Sequence, residues 1–396
     1  MFLSPRTNTI KRLLVMRFSA MGDAAMTVPV LHALATQHPE LRITMLTRSR
    51  FVPMFEWLPA NVQVKGIDLN NYSGIGGLTR LYRQLKSSQF DAVADLHDVL
   101  RTKYLRTCFS LAGTPVAVID KGRKDKKALI GHSLDHKALC PMPERYANVF
   151  RSIGIELTLP GRMSLNLKQE NFAPVRQVAG NKQPGQHWVG IAPFAAHPQK
   201  IYPLERMQQV IYALADRGLR VFLFGAGKTE SSILSQWEKD YSAHHQPASS
   251  KQPGAVHSAV LNVSGALGGL KNEMLLMSQL DVMLSMDSAN MHIASILGTP
   301  VISIWGATHP KAGFSGYGQD SRNEQQLSLP CRPCSIYGKK PCQFGDLRCM
   351  NIAPETIVKA TLNLLQDTSS HAKIQVHQEN PLAHQPPALP GAVRLC

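Results

Sequence analysis

Arg12-Leu13-Leu14-Val15-Met16-Arg17-Phe18, then Ser19-Ala20-Met21-Gly22, then a run from Asp23 to Gln37 rich in Ala, Val and Leu, is the stretch that decides the fold. Its first part is a mostly apolar run of strand length, its second a short loop with a glycine, and residues 23–37 repeat apolar side chains at helical spacing. Strand, short loop and helix in that order make the first unit of a parallel sheet, because parallel strands need a crossover and a helix is the usual one.

Working outward, short apolar runs recur at 42–46, 92–96 and 116–119, alternating with helical patterns such as 78–87. Residues 1–170 therefore read as one doubly wound domain. From 169 to 186 the pattern dissolves into Gln, Asn, Pro and Gly, which places a linker at 171–186. A second series follows, with strands expected at 188–192, 220–224, 260–263, 281–285 and 301–304. Helices are expected at 203–217, 228–239, 271–279 and 290–297, with a polar loop at 242–257. The expectation is an α/β chain of two Rossmann-like domains, the second spanning 187–368, with a solvated tail rich in Pro, His and Gln over 369–396.

The composition fits two sizeable cores: 396 residues, 44% hydrophobic and 18% charged, exclude a single small module and a disordered or fibrous chain. The formal charge is +16, and it is unevenly spread: residues 1–180 hold 25 basic and 13 acidic side chains, residues 181–396 hold 18 and 14. A strongly basic first half points to a nucleic acid, a membrane surface or a phosphorylated substrate. The longest apolar stretch, 293–307, is shorter than the roughly 18 residues a membrane span needs and carries Pro300. The apolar run 13–16 is cut by Arg17, so it does not read as a signal peptide, and a cytoplasmic protein is expected.

In open parallel sheets ligands bind beyond the carboxyl ends of the strands, where helix N-termini present free amides. Four loops stand there. Gly225-Ala226-Gly227-Lys228-Thr229-Glu230 is neither a Walker loop, since Phe222 occupies the first glycine position, nor a dinucleotide fingerprint, since Glu230 occupies the third. Glu230 is suited to accept hydrogen bonds from ribose hydroxyls, although a tight turn with a solvated Glu is the plainer reading. Asp287-Ser288-Ala289-Asn290-Met291-His292 sets carboxylate, hydroxyl, amides and imidazole around one helix start, a cradle for a phosphorylated ligand or simply a capped helix with a packed histidine. Lys200, just before Tyr202-Pro203, stands where an ammonium neutralises a pyrophosphate. Met21-Gly22-Asp23 completes the set, with Asp23 in the first turn of its helix.

Taken together, the Arg17-Phe18-Ser19-Ala20-Met21-Gly22-Asp23 start, the Asp287-Ser288 to His292-Ile293-Ala294 segment, Gly298-Thr299-Pro300-Val301 and Cys349-Met350 resemble glycosyltransferase family 9, the ADP-heptose:lipopolysaccharide heptosyltransferases. The resemblance implies a GT-B fold, two Rossmann-like domains facing across a cleft, the first for a sugar acceptor and the second for a nucleotide-sugar donor. It implies inverting transfer of a heptose or related sugar to an anionic, lipid-linked saccharide of the lipopolysaccharide core at the inner face of the cytoplasmic membrane. Asp23 matches the family's catalytic base, Lys200 its phosphate-contacting lysine, and Glu230 its nucleotide-contacting acid. Asp287, Ser288, Ala289, Asn290 and His292 match its donor segment, and Met21 and Gly22 stand on the acceptor side. Two positions depart from the family: its Gly-Pro is here Ala289-Asn290, and its hydroxyl pair ahead of the lysine is here Ala195-Ala196. Both changes bear on the donor sugar, so a transferase using another nucleotide sugar stays open beside the heptosyl reading.

The basic cluster Lys121, Arg123, Lys124, Lys126 and Lys127 is expected to meet acceptor phosphates or the membrane face. No metal is expected in the chemistry, since a lysine and a helix N-terminus can carry the leaving group's charge. Cys331, Cys334, Cys342 and Cys349 hold four of the seven cysteines within one short segment, a candidate for a structural zinc, although only the first pair has ordinary ligand spacing. A zinc-stabilised nucleic-acid binder is disfavoured, because aromatics are only 7% and none lies within 121–127. A dinucleotide-dependent oxidoreductase is disfavoured by the missing glycine fingerprint.

Overall fold

The computed structural model describes residues 10–131, 138–163, 165–244 and 258–378. The first domain contains β1 (Arg12–Met16), α1 (Met21–Ala25), α2 (Val28–Gln37), β2 (Arg42–Arg48), β3 (Val62–Ile67) and α3 (Gly74–Lys86). It continues with β4 (Ala92–Asp95), α4 (Leu100–Leu111), β5 (Val116–Val118), α5 (Arg123–Ile130) and α6 (Met142–Arg151). Its five strands lie parallel in the order β3-β2-β1-β4-β5. After α7 (Ala173–Ala179) come β6 (Trp188–Ala192), α8 (Leu204–Ala215), β7 (Arg220–Leu223), α9 (Gly227–His244), β8 (Val260–Asn262) and α10 (Leu270–Met277). The chain ends with β9 (Val282–Met286), α11 (Ala289–Ile296), β10 (Val301–Ile304), β11 (Glu324–Gln325) and α12 (Pro354–Gln378). The second sheet is parallel too, in the order β11-β10-β9-β6-β7-β8.

The central strands are unbroken apolar runs because both of their faces are covered. In β1, Leu13 and Val15 enter one buried cluster while Leu14 and Met16 enter another on the opposite face. In β9, Val282, Leu284 and Met286 face one cluster and Met283 the other. Each such side chain withdrawn from water contributes about 1.5–3 kcal/mol, and a polar residue in such a strand must find a partner inside it, as Ser285 of β9 does by donating to the Met286 carbonyl.

The predicted helix over 23–37 is two helices. Pro29 has no N–H to donate to the carbonyl of Ala25 and its ring would clash there, so α1 ends and α2 starts afresh with Pro29 in its first turn. Strands β3 and β11 carry no apolar run, which is why the sequence pattern missed them: both lie at sheet edges and keep polar residues such as Gln63, Lys65, Glu324 and Gln325. The stretch read as linker contains α7, whose Val175 and Ala179 are buried against the body of the protein. The expected tail begins later than residue 369, since α12 carries the backbone on to Gln378; residues 379–396 lie outside the described residues. So does most of the polar loop at 242–257, of which α9 takes 242–244. No helix among the described residues is long and apolar enough to cross a membrane.

Arg332 fastens the segment carrying the clustered cysteines. Its buried guanidinium donates to the carbonyls of Trp305, Gly306, Thr308 and Leu327, tying the loop after β10 to the strand of chain that follows β11. Replacing it with Met leaves those carbonyls without donors, and a loss of about 3 kcal/mol is expected. Urea unfolding of Arg332→Met measures it, and a wild-type midpoint would contradict this role.

Candidate active site

Each sheet reverses its strand order beside its first strand, between β1 and β4 in one domain and between β6 and β9 in the other. These switch points open crevices at the carboxyl ends of the strands. The loops leaving β1, β4, β6 and β9 carry nearly every polar group of the site. The two crevices face each other because α1 packs directly on α11. Gly22 makes that approach close: a Cβ there would stand 2.8 Å from Cδ2 of His292.

On the first-domain side, Asp23 is held from two directions. Its Oδ2 accepts from the backbone amide of Ala20 at 3.0 Å and pairs with Nη2 of Arg17 at 2.8 Å. Arg17 is itself buried, donates through Nη1 to the Leu96 carbonyl and lies 5.6 Å from the centroid of the Tyr146 ring. A salt bridge with one member this buried restrains the carboxylate's direction more than it stabilises the chain. His97, from the loop after β4, sits 3.1 Å from the Ser19 hydroxyl through Nε2. Burial, with the nearby Arg17 and Lys121 charges, pushes His97 down to about 3, so the imidazole is neutral. Lys121 donates to the Asp98 carbonyl at the same rim, and its pKa is lowered by burial.

On the second-domain side, Lys200 Nζ and Asp287 Oδ2 form a 2.8 Å ion pair, both partly withdrawn from solvent. Ser288 occupies the cap position of α11, yet its hydroxyl turns to Ser285 at 3.1 Å rather than to the helix. The first amides of α11, at Ala289, Asn290 and Met291, lack intrahelical acceptors and no side chain caps them, and they follow directly on Asp287, the partner of Lys200. His292, one turn in, is 5% exposed, and its Nδ1 is buried without a hydrogen-bond partner among the described residues. Burial pushes it down to about 4, against the pull of Asp287 and Asp23. Glu230 accepts from the Ala226 amide at 2.7 Å, so part of its carboxylate already serves the start of its own helix.

The basic cluster divides. Lys121 reaches the site, and Arg123 pairs with Asp98 at 3.0 Å beside it, whereas Lys124 and Lys127 are exposed on α5. Lys126 is corrected: it is 5% exposed, with Nζ 4.7 Å from the Phe314 ring centroid and 5.6 Å from that of Tyr337, so it offers nothing to a membrane surface. Helical geometry causes this, since position 126 falls on the inner face of α5 with Leu129 while its neighbours fall outside. The four clustered cysteines lie near one another, Cys334 feeling Cys331 and Cys342, and Cys349 feeling Cys334 and Cys342. Among the described residues no three His, Cys, Asp or Glu side chains gather where they could hold a metal ion, and Cys331, Cys334, Cys342 and Cys349 are free thiols. Their segment is held by Arg332 and by its packing on the core, where Cys349 is buried. The sequence reading missed Arg17 and His97. A charged residue directly closing the β1 run is the signal for Arg17, and His97 carries none beyond following a strand.

A family model, glycosyltransferase family 9 (heptosyltransferase), matches residues 78–347. The chain is 23% identical over 309 residues to the lipopolysaccharide core heptosyltransferase OpsX of Haemophilus influenzae, covering 77% of this chain and 81% of that protein. It is 24% identical over 302 residues to lipopolysaccharide heptosyltransferase 3 of Escherichia coli, covering 74% and 82%. In fold it resembles the E. coli ADP-heptose lps heptosyltransferase II, with a TM-score of 0.65 at 18% identity over 90% of this chain and 99% of that one. A family 9 glycosyl transferase from Veillonella parvula gives 0.66 at 18% identity over 90% and 98%. The two facing parallel-sheet domains are thus the GT-B arrangement.

His97 and His292 make the fold acid-sensitive. Their folded-state values of about 3 and about 4 lie below the ordinary 6.5, so the unfolded chain takes up their protons first. The stability they contribute is complete above pH 6.5 and is lost progressively as pH falls toward 4. The urea midpoint is expected to drop from about pH 7 to about pH 5, and the double variant His97→Asn, His292→Gln to flatten that drop. A wild-type midpoint that stays level over this range would contradict the assignment.

Proposed function

The chain belongs to glycosyltransferase family 9, the heptosyltransferases, and from that membership we propose that it transfers a heptose from an ADP-sugar to a lipid-linked, phosphorylated saccharide of the lipopolysaccharide core, inverting the anomeric carbon. One observation carries the reading: Asp23 stands in α1 of one domain, the Lys200–Asp287 pair borders the start of α11 in the other, and these two helices touch. A general base and a diphosphate cradle on opposite walls of one cleft is the arrangement that a direct displacement between two bound substrates requires.

In this reading the acceptor hydroxyl attacks the anomeric carbon as the bond from that carbon to the diphosphate oxygen breaks. The hydroxyl proton passes to Asp23, whose direction is fixed by Arg17 and the Ala20 amide. Charge left on the nucleoside diphosphate is met by Lys200 and the free amides of α11, so the step needs no divalent cation. Glu230 meets the nucleoside's hydroxyls with the carboxylate capacity left beyond the Ala226 amide. Anionic groups of the acceptor meet Lys121 and Arg123, with Arg48, whose charge feels both Arg50 and Arg101 at the same strand-end rim. The protein works at the inner face of the cytoplasmic membrane, where such an acceptor is anchored.

A second reading keeps the reaction and changes the sugar. Ala195-Ala196 and Ala289-Asn290 bring no hydroxyl and no proline to the donor crevice, which favours main-chain over side-chain recognition of the diphosphate. The test is a panel of ADP-, GDP- and UDP-sugars offered with truncated lipopolysaccharide acceptors. Transfer from ADP-heptose with inverted configuration is expected, and Asp23→Asn is expected to lower kcat about 10²–10⁴-fold. Turnover only with another nucleotide sugar selects the second reading, and full activity without Asp23 overturns the mechanism.

A further inference from the structure

Between Cys334 and Cys342 the chain turns through Ser335-Ile336-Tyr337-Gly338, and this turn of the donor domain lies between Lys200 and the acceptor domain's Lys126. Gly338 has φ +73°, and a Cβ there would lie 2.5 Å from Cγ and 2.6 Å from Cδ of Lys200. The turn therefore lies against the stem of the lysine that pairs with Asp287. One residue earlier, Tyr337 crosses to the acceptor domain. Its hydroxyl is 3.5 Å from Lys126 Nζ, and its ring stands edge-on to Phe314 with centroids 5.8 Å apart. It feels the charges of Asp23, Arg17 and Arg123, all from the acceptor domain.

Tyr337 is nevertheless 48% exposed. Its hydroxyl end is fastened by a buried ammonium that is itself fixed against Phe314, while almost half of the residue is left open beside the proposed base. A large aromatic side chain held at its hydroxyl and along one edge, with nearly half of it open to solvent, is not filling a core. It offers a rigid apolar surface at low entropic cost, the property that makes tyrosine a contact residue for amphipathic ligands. A pyranose is such a ligand, with C–H groups on its faces and hydroxyls around its edge.

We propose that Tyr337 is the platform on which the acceptor's sugar ring packs beside Asp23, with Lys126 and Phe314 as the residues that position it. The inference rests on the transferase reading and deepens it, by assigning a donor-domain residue to acceptor recognition. It also gives the cysteine-bearing segment a task in the cleft. The acceptor ring, rather than the donor's, is the occupant because the charged groups that Tyr337 meets, Lys126, Asp23, Arg17 and Arg123, all come from the acceptor domain, whereas the donor cradle lies at the start of α11.

The experiment uses the full chain with a deacylated, heptose-free lipopolysaccharide fragment as acceptor. Acceptor KM is measured at saturating ADP-heptose, and ADP affinity by calorimetry. Tyr337→Ala is expected to raise acceptor KM about tenfold, with ADP affinity retained, and Tyr337→Phe to restore most of the loss. Unchanged acceptor KM in Tyr337→Ala overturns the proposal, as does an equal loss in Phe and Ala or a loss confined to ADP. Direct binding of the same fragment separates the two readings. Binding that Tyr337→Ala weakens upholds the platform even if the wild type transfers no heptose, and equal binding by both proteins overturns it.

Discussion

Everything in the cleft depends on the packing of α1 against α11. A glycine at position 22 lets the two helices approach until the backbone of one meets the imidazole of the other. Buried residues of both helices, Ala24 and Ala25 on one side and Met291, Ile293 and Ala294 on the other, then belong to a single apolar cluster that runs across the domain boundary. The consequence is chemical as well as mechanical. Each helix begins at a strand end, so joining their sides brings the two switch points together and sets a carboxylate opposite a helix N-terminus.

The same logic of restraint appears on both walls. Asp23 is aimed by Arg17, and Lys200 is aimed by Asp287, so each group that would touch a substrate is held by an opposite charge from its own domain. Burial keeps two imidazoles of the cleft neutral, His97 on the first wall and His292 where the walls meet. A cleft of oriented ion pairs and neutral histidines presents fixed dipoles without needing to reorganise, which is what an electrostatically stabilised displacement demands. Part of the basic excess of the first half sits at the rim, where Lys121 and Arg123 gather around Asp98.

Much of the frame was legible in the sequence because buried parallel strands must be continuously apolar. Runs such as 13–16 and 282–286 announce themselves, and so do the loops that follow them. What went unread has specific causes. Edge strands β3 and β11 are half solvated and carry no such signature. The break between α1 and α2 was signalled by Pro29 but masked by the helical spacing around it. Lys126 looked like one more surface charge because a charge run hides which of its members a helix turns inward. The four cysteines are close in the fold as well as along the chain, since Cys334 and Cys349 each feel the charge of Cys342.

The amino-acid sequence by itself determined the two-domain parallel α/β plan, the strand-end loops and the identities of Asp23, Lys200, Asp287 and His292 as groups worth finding. These are local properties, written in hydrophobic period, turn chemistry and helix starts. Only the tertiary structure decided which of those groups meet, that Arg17 and His97 join them, and that Lys126 withdraws to hold Tyr337 in the cleft. Those outcomes turn on contacts between residues as much as 211 positions apart, and no pattern along the chain encodes a distance that only packing creates.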